Sequence, residues 1–216
     1  MNPDGELEIR AVSAGPFLTN TYLMIWGKEA ILVDPGTDAR DLVSDLKLSS
    51  IRVAFIVSTH GHFDHMVDVD SLSKLTGAKF LLGNGEDHVL EWSYSVARDY
   101  LLRELERVEP DRLLSDGDRI PLGGHEAEII SLPGHTPGSI GILAENHFIT
   151  GDTLFKGTIG RTDLGGSMED MNRTLRKILG MNPALEVLPG HGPGSTLREE
   201  LESNPFLKGI MGEDLP

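Results

Sequence analysis

The sequence contains no cysteine among its 216 residues, which excludes disulfide bonds and thiolate metal sites. Any metal ion must therefore bind to nitrogen and oxygen ligands. Long apolar runs are also missing. The longest, such as Val53 to Val57, fall far short of the roughly 20 residues that a membrane-spanning helix needs.

Basic residues are scarce, with 19 Lys and Arg against 34 Asp and Glu, so the formal net charge is −15. A field of this sign repels phosphate backbones and anionic membrane surfaces, and we expect neither nucleic acid nor a membrane as a partner. Solubility alone explains such an acidic surface. The acidic stretch Met1 to Arg10 lacks the apolar core of an export signal, which predicts a cytoplasmic location.

The length of the chain suits one large domain over residues 1–216, and its 39% hydrophobic content is ordinary for a globular protein. Short strands and amphipathic helices alternate in two similar halves. The predicted strands are Leu7 to Val12, Thr21 to Trp26, Ala30 to Asp34, Val53 to Val57, Ala78 to Leu82, Arg119 to Leu122, Glu126 to Leu132, Ser139 to Leu143, His147 to Thr150 and Leu185 to Leu188. The predicted helices are Asp38 to Leu48, Met66 to Leu75, one or two within Glu86 to Val108, Met168 to Leu179 and Leu197 to Leu201. Two sheets packed face to face with helices outside would bury such strands, so we predict a four-layer α/β sandwich.

The stretch Thr59 to His65 carries four metal-binding side chains directly after the apolar strand Val53 to Val57. They are His60, His62, Asp64 and His65. His60 and His62 are two residues apart and point the same way in an extended segment, whereas Asp64 and His65 come after a turn. Imidazole and carboxylate are ligands for Zn, Fe and Mn. One stretch can thus supply two adjacent metal ions.

Three more candidate ligands also follow predicted strands. His135 lies in a Pro-Gly-His-Thr-Pro-Gly loop, Asp152 in Gly-Asp-Thr, and His191 in Pro-Gly-His-Gly. Singly each motif is weak, because Pro-Gly turns are common and an Asp after a strand often caps a helix. Together they point to one site, because open α/β sheets gather their functional groups at the carboxyl ends of strands.

Other polar residues near these motifs have more ordinary interpretations. His88, His125 and His147 lie in a polar segment and in two turns, and we expect none of them to bind metal. Asp34 is either a turn residue before Pro-Gly or a carboxylate that orients a ligand histidine. The segment Glu86 to Val108 is a candidate for shaping the pocket.

The order Thr-His-x-His-x-Asp-His, His, Asp, His resembles the metallo-β-lactamase-fold hydrolases over essentially the whole chain. The resemblance implies the αββα sandwich and two divalent metal ions, with zinc favoured and iron or manganese also accepted. It implies that His60, His62 and His135 hold the first ion. It implies that Asp64, His65 and His191 hold the second, and that Asp152 bridges the two.

A narrower resemblance is to the glyoxalase II-like, small bacterial hydroxyacylglutathione hydrolase-like proteins. It is carried by Gly151 to Leu164 and by the ending Pro189 to Pro193 with Asn204 to Leu207. The implied reaction is hydrolysis of a small-molecule thioester, such as S-lactoylglutathione, by a metal-bound hydroxide, with Asp64 and Asp152 as catalytic residues.

Two departures from full-length glyoxalase II bear on the substrate. We expect no separate C-terminal glutathione-binding helical domain. The family's Lys and Tyr after the bridging Asp correspond here to Arg161 and Asp163, and Asp163 cannot replace a tyrosine hydroxyl. Arg161 and Lys156 are the candidates for substrate binding, because a guanidinium serves a carboxylate as well as an ammonium group does.

Other activities on the same fold stay open. A persulfide dioxygenase would use one Fe(II) on residues matching His60, His135 and Asp152, and it ranks second because the ligands of the second ion are all present. A metal-binding protein without activity ranks lower for the same reason. The acidic charge disfavours a nuclease, and nothing in the sequence indicates a lactam pocket.

Overall fold

The computed structural model describes residues 5–37, 39–44, 50–102 and 104–213. It contains two six-stranded sheets and a short separate hairpin. The first sheet is formed, in spatial order, by β1 (Glu8–Ala14), β2 (Thr19–Trp26), β3 (Glu29–Val33), β4 (Arg52–Ser58), β5 (Lys79–Gly83) and β6 (Arg112–Leu114). The second is formed by β7 (Arg119–Leu122), β8 (His125–Ser131), β9 (Ile140–Ala144), β10 (His147–Gly151), β13 (Glu186–Pro189) and β14 (Ser195–Thr196), and the hairpin by β11 (Leu154–Phe155) and β12 (Thr158–Ile159).

Helices occur in both halves of the chain. They are α1 (Arg40–Ser44), α2 (Val69–Thr76), α3 (Asp87–Leu101), α4 (Met168–Leu179), α5 (Leu197–Ser203) and α6 (Pro205–Glu213), and Phe63–His65 forms a 3-10 turn. No helix within the described ranges is long and apolar enough to cross a membrane.

Three apolar clusters show how the layers pack. The largest lies between the sheets and joins β2, β3 and β4 to β7, β8, β9 and β10; Met24, Ile31 and Ile142 are among its fully buried members. A second cluster covers the other face of the first sheet with α1 and α2. A third covers the other face of the second sheet with α4, α5 and α6. The order helix, sheet, sheet, helix is the predicted four-layer sandwich, because each sheet buries both faces.

The parallel pairs of strands direct their carboxyl ends to one edge of the sandwich. In the first sheet β4 pairs in parallel with β3 and β5. In the second, β10 pairs in parallel with β13. The residues that follow β3, β4, β10 and β13 therefore share one edge, and all the candidate ligands lie in such loops except His135, which follows β8.

The structure differs from the sequence prediction at several elements. The segment Glu86 to Val108 forms one helix that ends at Leu101, and residues 104–110 are not helical. The predicted helix Asp38 to Leu48 is helical over Arg40–Ser44, and its remaining positions at 38 and 45–48 lie outside the described residues. Four short strands (β6, β11, β12 and β14) and the helix α6 were not predicted.

Candidate metal centre

The structure brings all seven predicted ligands together at the shared edge. Three overlapping groups have ligand atoms that lie within 4.8 Å of one another: His60, His62 and His135; His60, His65 and Asp152; and Asp64, His65 and His191. The first and third groups match the two ligand sets implied by the resemblance. Within the described ranges, His88, His125 and His147 belong to none of these groups.

Asp152 lies between the two sets. Its Oδ2 is 3.6 Å from His135 Nε2 and 3.5 Å from His191 Nε2, and its Oδ1 is 3.5 Å from His65 Nε2. The backbone makes room for this carboxylate, because a Cβ on Gly190 would lie 2.1 Å from Asp152 Oδ1. A side chain at position 190 would therefore displace the residue that contacts both sets.

Each histidine of the first set has one ring nitrogen held away from the cluster. His62 Nε2 is 3.2 Å from the carbonyl oxygen of Leu164, and His135 Nδ1 is 2.6 Å from that of Arg161. Each carbonyl requires a proton on that nitrogen, so the other nitrogen of each ring carries a lone pair. Those two, His62 Nδ1 and His135 Nε2, face each other at 2.9 Å.

Thr59 gives His60 the same orientation. The Thr59 hydroxyl donates to Asp34 Oδ2 at 2.9 Å and so can accept from His60 Nδ1 at 3.1 Å. His60 Nε2 is then left facing the cluster, where it is buried and makes no hydrogen bond to the described residues. Burial, with the neighbouring histidines, holds the pKa of His60 well below its usual range, and it lowers that of His62 to about 4. These rings are neutral at neutral pH, as metal ligands must be.

Carboxylates surround the two histidines of the second set. Burial works to lower the pKa of His65, but Asp64, Asp152 and Asp34 raise it to about 9. Burial also works to lower the pKa of His191, but the hydrogen bonds of His191 to Asp152 and Asp64 raise it to about 11. This negative charge calls for cations at the site, and a divalent metal ion can take the place of the protons.

Asp34 and Thr19 contact ligands of the second set and orient them. Asp34 is fully buried, has a φ of 50° and lies 3.1 Å from His65 Nδ1 through its Oδ2. It also accepts from the amide of Thr59 at 2.7 Å, so it is both the turn residue and the orienting carboxylate that the sequence left as alternatives. Thr19 donates its hydroxyl to Asp64 Oδ2 at 2.8 Å.

Burial works to raise the pKa of Asp64, but His65, His191 and the hydroxyl of Thr19 hold it well below its usual range. The carboxylate is therefore ionised at neutral pH. Lone pairs that converge on one space, an orphaned histidine nitrogen and ionised carboxylates fit divalent metal ions with nitrogen and oxygen ligands.

Glu86 is a site residue that the sequence analysis missed. Its side chain is buried and accepts from the amide of Gly61 at 2.6 Å and from the amide of Gly138 at 2.7 Å. These glycines lie in the loops that carry His60, His62 and His135, so one carboxylate ties together both loops of the first set. No local motif marks Glu86, because its partners are distant in sequence.

An aromatic group borders the centre and was also missed. Phe63 stacks on Tyr100 at 5.4 Å between ring centroids and meets Phe17 edge-on at 5.3 Å. Trp92 lies 6.1 Å from Phe63 and 5.5 Å from the ring of His62. Trp92 and Tyr100 belong to α3, so the segment that was predicted to shape the pocket does contact the centre.

The two predicted substrate-binding residues lie on the exposed loop after Asp152. Arg161 Nε and Nη2 each lie 2.6 Å from a carboxylate oxygen of Asp163, and the Arg161 carbonyl is the one that orients His135. Lys156 is exposed in the turn of the β11–β12 hairpin, near Glu199 of α5. Both side chains are exposed to solvent.

Comparison with known proteins places this geometry in a family. The model of the metallo-beta-lactamase superfamily matches residues 14–191, which include all seven candidate ligands. The hydroxyacylglutathione hydrolase GloC of Haemophilus influenzae is 34% identical over 209 residues, covering 93% of this chain and 98% of that protein.

Two solved structures are similar over nearly their whole length. The BLEG-1 B3 metallo-beta-lactamase gives a TM-score of 0.84 at 33% identity, covering 94% of this chain and 100% of that one. TTHA1623 in a di-iron-bound form gives a TM-score of 0.81 at 32% identity, covering 91% and 99%. Both similarities therefore extend over more than 90% of this chain.

Proposed function

The chain belongs to the metallo-beta-lactamase superfamily and is a metal-dependent hydrolase of that superfamily, and from this premise we propose that it hydrolyses a thioester, with a 2-hydroxyacyl-glutathione such as S-lactoylglutathione as the first candidate. The observation that carries the proposal is the pair of complete ligand sets joined by Asp152. The 34% identity to a hydroxyacylglutathione hydrolase supports the choice of thioester.

The proposal assigns two divalent ions to the centre, with zinc first and iron or manganese as alternatives. His60, His62 and His135 would hold one ion, Asp64, His65 and His191 the other, and Asp152 both. When bound, such a pair lowers the pKa of a water molecule and acts as a Lewis acid towards a carbonyl oxygen.

The residues of the chain then have distinct tasks. The backbone carbonyls at Arg161 and Leu164 fix the tautomers of His135 and His62, so their free nitrogens need no rearrangement before binding. Asp64, held by the hydroxyl of Thr19, is ionised and available to orient the attacking water. No serine or cysteine nucleophile is needed.

The proposed substrate-binding residues lie on the exposed segment that follows Asp152. Asp163 engages Arg161 through two nitrogens, but a guanidinium has five N–H groups, so donors remain for a carboxylate of the thiol carrier. Lys156 supplies a second exposed cation on the same loop.

A β-lactam is the second candidate substrate. The observation in its favour is the 33% identity to a B3 metallo-beta-lactamase over nearly the whole chain. A centre of this kind can hydrolyse either a thioester or a lactam amide. Assays with both substrates are therefore needed to distinguish the two candidate functions. The sequence itself gave no sign of a lactam pocket.

The test compares S-lactoylglutathione and a chromogenic cephalosporin on one metal-loaded preparation. We expect the parent protein to hydrolyse the thioester. His135→Ala should stay folded, but it should lose its metal and at least about 100-fold in kcat/KM. His147→Ala, which removes a histidine outside the ligand groups, is the matched control and keeps its activity. Turnover of the cephalosporin alone, or full activity in the metal-depleted variant, would reject the thioester proposal.

A further inference from the structure

A cavity of about 400 Å³ lies beside the first ligand set. Its lining includes Val89 and Trp92 of α3, Pro137 of the loop that carries His135, and Leu164. The cavity is next to the centre, because the Trp92 ring is 5.5 Å from the ring of His62 and the Leu164 carbonyl contacts His62 Nε2. A group bound there would lie against Trp92 and Leu164, the two lining residues that contact His62.

The size of the cavity exceeds what a lactoyl group requires. An apolar cavity of about 150 Å³ is enough to bind benzene. A cavity of about 400 Å³ therefore has room for a phenyl ring together with the carbons that join it to a carbonyl. A methyl group in the same place would leave most of the lining without contacts, and unfilled apolar surface gives up binding free energy.

The chemistry of the lining disfavours the charged half of a glutathione thioester. The side chains of Val89, Trp92, Pro137 and Leu164 make much of the lining apolar. The carboxylates and the ammonium group of glutathione would lose hydration against these side chains without gaining an ion pair, because Asp163, which also lines the cavity, is already paired with Arg161. The thiol carrier is directed to the exposed side, where Arg161 and Lys156 lie, and the acyl group to the cavity.

We propose that this cavity is an acyl-binding pocket that selects thioesters of apolar, aromatic-sized acyl groups over the lactoyl group, with Trp92 as the specificity-determining residue. The inference rests on the proposed thioester hydrolysis and names the acyl class of its substrate. Trp92 supplies an aromatic ring to the lining, and Val89, which is buried, and Leu164 supply aliphatic side chains. Aromatic faces favour stacked or edge-on aromatic partners.

The test uses two thioesters that differ only at the acyl side chain. S-Mandeloylglutathione has a phenyl ring where S-lactoylglutathione has a methyl group, and the thiol carrier is the same. We expect kcat/KM for the mandeloyl substrate to exceed that for the lactoyl substrate by roughly tenfold or more, from apolar contacts alone. Trp92→Ala should remove that preference, because it should lower kcat/KM for the mandeloyl substrate roughly tenfold more than for the lactoyl substrate.

A variant on the other face of the same helix controls for a general loosening of α3. Tyr94 lies away from the cavity and packs on Arg107 and Val108. Tyr94→Ala should lower the thermal stability and leave the ratio between the two substrates unchanged. Equal kcat/KM values in the parent protein, or equal losses for both substrates in Trp92→Ala, would overturn the pocket.

A binding measurement separates failure of the pocket from failure of the proposed reaction. In Trp26→Phe, Trp92 is the single tryptophan of the sequence, so its fluorescence in metal-free protein reports on the cavity directly. Mandelate should quench it at concentrations where lactate does not. If neither thioester is hydrolysed, the thioester proposal fails and this titration alone decides. Quenching by mandelate then supports the pocket, and no difference between the two acids overturns it.

Discussion

At the scale of single residues, the candidate ligands could be read from the sequence and the groups that orient them could not. His60, His62, Asp64 and His65 lie in one short motif after a strand, and His135, Asp152 and His191 each follow a recognisable turn. Phe17, Arg161 and Leu164 contribute backbone carbonyls, which have no signature in the sequence. Asp34 was identified only as one of two alternatives, because an Asp before Pro-Gly suits a plain turn equally well.

Asp34 provides a test of orientation at this scale. Asn tolerates the positive φ at this position, so Asp34→Asn keeps the backbone while removing the negative charge beside His65 Nδ1. We expect metal affinity to fall by about 10–100-fold, as it does when a partner behind a ligand is changed. Competition with a fluorescent chelator measures this, with unfolding curves to confirm that the chain stays folded. Unchanged affinity would show that the carboxylate is structural only.

At the scale of elements, the long strands and helices were predicted and the shortest ones were not. β11, β12 and β14 are two residues long and β6 three, too short for an alternating pattern to be recognised. The sequence does carry a signal for α6. Asn204 suits the residue before a helix, and Pro205 suits the first turn of that helix. α3 ends at Leu101, whereas the helix-forming composition continues to Val108.

The connection between two ligand loops gives the prediction for this scale. Glu86→Leu keeps a similar volume but leaves the buried amides of Gly61 and Gly138 without an acceptor. Each orphaned amide costs about 1–3 kcal/mol, so we expect the free energy of unfolding to drop by at least about 2 kcal/mol. Urea denaturation measures the change. Glu91→Leu is the matched control, because it makes the same replacement at an exposed position of α3, and its stability should stay close to that of the parent.

At the scale of the whole molecule, the predicted metallo-β-lactamase fold is confirmed by the family match and by the solved structures. The alternation of strands and helices predicted the four-layer sandwich, and the order of the ligand motifs supplied the resemblance to the family. The ligand loops meet because parallel strands in both sheets end at one edge. That the chain forms one domain over residues 1–216 and lies in the cytoplasm remain predictions.

The apolar packing of the sandwich does not involve the ligands of the candidate metal centre. The three apolar clusters that hold the layers together contain none of the seven ligands. Removing the metal with a chelator should therefore abolish activity and lower the unfolding temperature. The circular dichroism spectrum of the folded protein should stay unchanged. Binding to the folded state alone explains the loss of stability, and added zinc, iron or manganese should restore both properties.

The number of metal ions per chain distinguishes a dinuclear hydrolase from a mononuclear enzyme, and elemental analysis measures it on a preparation whose hydrolysis of S-lactoylglutathione is assayed in parallel. We expect two ions per chain and activity that rises as the second ion binds. One iron per chain, no thioester turnover and oxygen uptake with glutathione persulfide would contradict this expectation and identify the mononuclear dioxygenase instead.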